Sequence, residues 1–98
     1  MVRRRIVVGA IGKGEGIFVA ARALRDEGRE VVLVGGGQSP EQLIRTAVAE
    51  DADELVIEAS ENEMTKLEAV REELGAEHLR LTALDSAGVT DSTRQDPQ

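Results

Sequence analysis

Apolar residues along this chain follow two spacings, and the change from one to the other marks the elements. Ile6-Val7-Val8, Val31-Val32-Leu33-Val34 and Leu55-Val56-Ile57 are short, largely β-branched runs without polar alternation. Such runs suit strands of a parallel sheet covered on both faces. Between them the apolar positions recur at helical spacing: Ile17, Phe18, Ala21 and Leu24; then Leu43, Ile44, Ala47 and Val48; then Met64, Leu67, Val70 and Leu74. Each set predicts one helix with these residues on its buried face, Met64 among the core. Residues 79–84 set Leu79, Leu81 and Ala83 against Arg80, Thr82 and Leu84, the alternation of a less fully covered strand at a sheet edge. The predicted order is β-α-β-α-β-α-β, with strands near 5–11, 30–34, 55–57 and 79–84.

The punctuation agrees with these elements. Gly28 and Gly75 stand where helices end in a left-handed residue, and Ser39-Pro40-Glu41-Gln42 and Ser60-Glu61-Asn62-Glu63 each have the spacing of a capping box. Strands alternating with helices over short connections require right-handed crossovers, hence a parallel sheet between two helical layers. Three crossovers predict a flavodoxin-like three-layer α/β fold with a four-stranded parallel sheet in the order 2-1-3-4. Its ligand end lies beyond the C-terminal ends of the strands, where loops 9–16, 35–39, 58–63 and 85–88 meet. The domain is expected over 1–85. In 86–98 Val89 is the only sizeable apolar residue, which predicts a disordered tail.

Composition narrows the chemistry. The 98 residues suit one domain, and Phe18 is the single aromatic, so the core must come from Val, Ile, Leu and Ala. There is no cysteine, which removes thiolate catalysis, disulfides and Cys-based metal sites and favours a cytoplasmic location. The longest apolar run is far short of the about 20 residues of a membrane span, so no membrane association is expected. This is an acidic protein, with formal net charge −7 and only Lys13 and Lys66 as lysines. Nucleic acid is therefore not expected as a partner, because it needs a concentrated basic face and aromatic platforms for stacking.

The glycine-rich first loop, Gly9-Ala10-Ile11-Gly12-Lys13-Gly14-Glu15-Gly16, fits neither phosphate-binding pattern. A P-loop needs G-x-x-x-x-G-K-[ST], and the dinucleotide pattern needs G-x-G-x-x-G followed by an acid after the second strand. An anion held by backbone amides with Lys13 remains open, as does a loop whose glycines serve only tight turning. Glu15 is expected to cap the first helix itself and so repel an anion. Catalytic candidates are thin: the single histidine, His78, is expected at the opposite sheet end, and Glu15 and Glu58, which could face each other across the site as a carboxylate pair, read rather as two solvated acids.

The segment 30–41, ending Val34-Gly35-Gly36-Gly37-Gln38-Ser39-Pro40-Glu41, together with Glu50-Asp51-Ala52-Asp53, resembles the middle of a cobalamin (B12)-binding domain of the methylmalonyl-CoA mutase small-domain type. The resemblance rests on a strand ending V-V-x-x-G, a Q-[ST]-P-E helix start and an acidic E-D-x-D before the third strand, and with its element order it covers 3–84. It implies a domain that elsewhere holds the corrin ring over its C-terminal strand edges, with the dimethylbenzimidazole tail beside the sheet. The family's D-x-H-x-x-G loop, whose histidine ligates cobalt, corresponds to the shorter Gly12-Lys13-Gly14-Glu15-Gly16, with neither Asp nor His. Its S-x-L corresponds to Glu58-Ala59-Ser60 and its Gly-Gly falls near Asp85-Ser86, so both are lost. The fifth strand and last helix of such domains have no counterpart here.

The implied site consists of Gly12, Lys13, Gly14, Glu15, Gly16, Gly35, Gly36 and Ser60, with no catalytic residue and no metal ligand. The expected function is that of a non-catalytic B12 (cobalamin)-binding-domain-like protein, which either binds corrinoid without histidine ligation or has lost binding, and which is not an enzyme on its own. One alternative is an accessory or regulatory subunit of a B12-dependent mutase, with the 79–84 edge covered by a partner or by a second copy as a homodimer. Another is a small phosphate- or nucleotide-binding protein using Lys13 and Glu15.

Overall fold

The computed structural model describes residues 4–84. The proposed disordered tail at 86–98 and the loop at 85–88 lie outside the described residues. Seven elements follow in the expected order: β1 (Arg5–Ala10), α1 (Ile17–Asp26), β2 (Glu30–Gly35), α2 (Pro40–Ala49), β3 (Glu54–Glu58), α3 (Glu61–Glu73) and β4 (Arg80–Leu84). All pairings are parallel and the strand order is β2-β1-β3-β4, which is the predicted flavodoxin-like arrangement.

Strand alternation divides the core into two layers. Ile6, Val8, Ala10 and Val56 face α1 and pack with Ile17 and Ala20. Val7, Leu55 and Ile57 face the other way, under Leu43, Ile44 and Ala47 of α2 and Leu67 of α3, with Met64 and Val70 partly buried against the same cluster. Both capping boxes form: Ser39 with Gln42 starts α2, and Ser60 with Glu63 starts α3. Gly28 and Gly75 take φ of 88° and 69° just past the ends of α1 and α3, as their positions require.

Four burial expectations are corrected, the simplest being Leu74, which is the exposed C-cap residue just past α3 and not part of its buried face. Phe18 is 64% exposed and Val48 47% exposed. The buried side of α1 is set by Ile17, Ala20, Ala21 and the half-buried Leu24, a 3.6-residue stripe from which Phe18 is turned by about 100°. Val48 is displaced from the Leu43–Ile44–Ala47 stripe of α2 for the same reason. The fourth correction concerns β2: its apolar run reads as a strand covered on both sides, yet every residue from Glu30 to Gly35 is only half-buried. The strand order puts it at the sheet edge, where, among the described residues, one flank has no neighbouring strand to screen it.

Candidate functional site

The C-terminal strand ends bring together the 11–16 loop, the 35–39 loop and the junction of β3 with α3. The first two loops are joined directly. The Gly37 N–H donates to the Gly12 carbonyl at 2.7 Å, and the Gln38 N–H donates to the Ala10 carbonyl at 3.1 Å. This contact depends on Gly36, where a Cβ would lie 2.5 Å from the Lys13 carbonyl oxygen and 2.6 Å from that of Gly12. Gly14 turns the first loop at φ 76°, tight against Ala10 and Ile17. The loop glycines therefore let two backbone segments meet, and the 11–16 loop turns its Gly12 carbonyl toward the second loop.

The third segment closes the site from the other side. Glu58 ends β3 in register with Ala10. By strand alternation from Val56 it rises on the face that α1 covers. Its Oε1 accepts the Gly16 N–H at 2.8 Å, at the N-terminus of α1, and its carbonyl accepts the Ile11 N–H at 3.3 Å. A carboxylate there satisfies an otherwise free amide and meets the positive end of the helix dipole. The expected capping by Glu15 is thus corrected. Glu15 is exposed, Gly16 is the N-cap residue with no side-chain cap of its own, and the acid that serves the amide comes from β3. Glu58 was legible as a strand-end acid; its alternation with Val56 was the signal that could have assigned it this bond.

The other sequence-derived site residues divide by exposure. Gly12, Lys13 and Glu15 are exposed on the first loop, Gly14 and Gly16 are buried beneath them, and Gly35 and Gly36 are half-buried in the second. Ser60 is exposed, and its hydroxyl is used locally: Oγ accepts the Glu63 N–H at 3.2 Å while Glu63 Oε1 accepts the Ser60 N–H at 2.8 Å. Glu58 already occupies the Gly16 amide, so the geometry gives a phosphate little to bind there. His78 lies at the other end of the sheet, lining a cavity of about 440 Å³ with Arg4, Asp53, Glu54 and Arg80. A second cavity of about 460 Å³ lies between α3 and β4.

A corrinoid held through a protein ligand to cobalt does not fit these residues. Loop 11–16 has no imidazole, His78 is at the far end, and among the described residues no group of three or more His, Cys, Asp or Glu is placed to hold a metal ion. No helix among the described residues is long and apolar enough to cross a membrane.

The fold and its joined loops define a flavodoxin-like α/β module whose described strand ends present loop backbone beside exposed Lys13 and Glu15. No family profile matches the chain. Among curated proteins it is 46% identical over 48 residues to the 2-hydroxyisobutanoyl-CoA mutase small subunit of Aquincola tertiaricarbonis. The match spans 49% of this chain and 35% of the relative, so about a third of that protein's length is represented. Partial homology to a CoA-mutase small subunit, together with the parallel β2-β1-β3-β4 sheet, agrees with the resemblance read from residues 30–53.

Proposed function

We propose that this chain is a non-catalytic module of the cobalamin-binding-domain type that works beside the large subunit of a CoA mutase. The observation that carries the reading is the 46% identity to a mutase small subunit, in a chain whose strand order is the one such a domain requires. The strand ends support a binding role over a chemical one. They offer exposed Gly12, Lys13 and Glu15 above backbone-to-backbone contacts, and Glu58, the acid at the centre, is bound to an amide. A corrinoid at this surface would rest on shape and backbone contacts, without histidine on cobalt.

Two measurements test the two parts of the proposal. Titrating hydroxocobalamin into the protein is expected to leave the visible spectrum without the change that imidazole ligation produces, in the wild type and in His78→Ala alike. A ligation change that His78→Ala abolishes would overturn the unligated reading. Co-expression with a mutase large subunit is expected to yield a complex on size exclusion, and separate elution of the two would overturn the subunit reading.

A further inference from the structure

At the N-terminal ends of the strands, the cavity of about 440 Å³ that His78 lines has no part in the proposed function. Ile6 packs in the α1 layer of the core and stands in register with Glu54, which stands in register with Arg80. Register partners in a parallel sheet project from the same face, so all three side chains lie on the α1 side, and Arg4, two residues before Ile6, shares it. Helix α1 packs mainly on β1 and β2, and the cavity opens beside it, over the starts of β3 and β4. Its volume is in the range of sites that take small molecules.

The charges on this lining do not cancel one another. Arg4 and Arg80 approach from β1 and β4, which flank β3 and so stand about 10 Å apart. Neither forms an ion pair among the described residues, although the chain carries 19 acids against 12 Lys and Arg, whereas the neighbouring Arg5 and Arg29 are each paired. Of the two acids on the lining, Glu54 is engaged at both oxygens: Thr82 Oγ1 donates to Oε2 at 2.6 Å, and the Arg29 guanidinium stands 3.6 Å from Oε1. Asp53 is held in place by its backbone, whose N–H donates to the Arg5 carbonyl at 2.9 Å and whose carbonyl accepts the Arg80 N–H at 3.0 Å. What the cavity offers a ligand is therefore two guanidiniums, the His78 ring and the single carboxylate of Asp53.

From this arrangement we infer that the cavity is a binding site for a small phosphorylated polyol of the sugar-phosphate kind. Two guanidiniums against one uncommitted carboxylate leave an excess of positive charge in a concave site, which favours an anion. Each guanidinium can hold phosphate oxygens through parallel N–H donors, and the His78 ring adds an N–H. Asp53 sets the selectivity. Its carboxylate repels phosphate and accepts from hydroxyls, so a ligand that carries hydroxyls beside its phosphate is preferred over phosphate alone. Ile6 at the floor gives the carbon skeleton an apolar surface. The site lies at the opposite end of the sheet from the loop cluster, so the inference stands apart from the proposed function.

Amide NMR titrations at constant ionic strength test it, with glucose 6-phosphate, inorganic phosphate and glucose as probes. Glucose 6-phosphate is expected to shift the Asp53, His78 and Arg80 amides saturably, with a Kd of about 1 mM or below, inorganic phosphate to bind more weakly and glucose to leave them unmoved. Arg4→Gln and Arg80→Gln, both at exposed positions, are each expected to weaken glucose 6-phosphate about tenfold or more, while Arg22→Gln, exposed on α1, leaves it unchanged. Asp53→Ala is expected to remove the preference for the sugar phosphate and to keep or strengthen binding of inorganic phosphate. The absence of saturable shifts, shifts confined to the 11–16 loop, glucose 6-phosphate binding no tighter than phosphate, a preference that survives Asp53→Ala, or binding indifferent to both arginine variants would overturn the inference.

Discussion

Replacing Glu58 with alanine is expected to cost about 1–2 kcal/mol of stability, although the side chain lies outside α1 and is only half-buried. Two contributions build that figure. The carboxylate accepts the Gly16 N–H at 2.8 Å, the bond that the N3 acid of a capping box makes to the N-cap amide in other helices, and removing a capping contact costs about 0.5–2 kcal/mol. Its charge at the helix N-terminus adds about 0.3–1 kcal/mol, with the low end appropriate for a group that solvent partly screens. For a domain of this size the total corresponds to a fall in Tm of about 4–16 °C. Glu58→Gln keeps an acceptor and loses the charge, so it is expected to lose only the smaller share, about 0.3 kcal/mol. Equilibrium urea unfolding reads all three proteins, with unchanged m-values confirming that stability alone has moved. Glu15→Ala is the decisive comparison, because Glu15 is exposed and makes no cap. A destabilisation by Glu15→Ala equal to or greater than that by Glu58→Ala would refute this account of how α1 begins.

Two further perturbations address the loop cluster, each read by denaturant unfolding. Gly36→Ala must push a Cβ against the Lys13 and Gly12 carbonyls and part the two loops, at about 1–3 kcal/mol, whereas Gly12→Ala enters open space and should stay within about 0.5 kcal/mol of wild type. Ser60→Ala should cost about 1 kcal/mol through loss of the α3 cap and leave the hydroxocobalamin titration unchanged, since its hydroxyl is already committed to Glu63.

The elements and their order were legible because each depends on a local signal with one physical meaning. A β-branched run followed by glycine, a Ser-x-x-Gln or Ser-x-x-Glu start and a 3.6-residue apolar stripe all act within a few residues, and parallel connection by short loops then leaves few topologies. Local signals also placed His78 away from the loop cluster. Burial was less legible at Phe18 and Val48, because apolar identity alone does not say which side of a helix a residue occupies when two adjacent positions are both apolar. The glycines of the first loop admitted both an anion cradle and a tight turn, since the glycine pattern leaves the direction of its amides and carbonyls open.

The sequence by itself determined the seven elements, the caps of α2 and α3, the parallel 2-1-3-4 sheet and the absence of a histidine from the loop that the family uses for cobalt. Those follow from propensity, periodicity and residue identity, all of which operate along the chain. Tertiary structure alone decided that Gly36 is where two loops touch and that Glu58 serves the start of a helix 42 residues away. Each of these depends on which segments become neighbours across the sheet. Hydrogen bonding and exclusion of water depend on proximity in space, and local sequence signals leave that proximity open until the strands have been ordered and the helices laid on their faces.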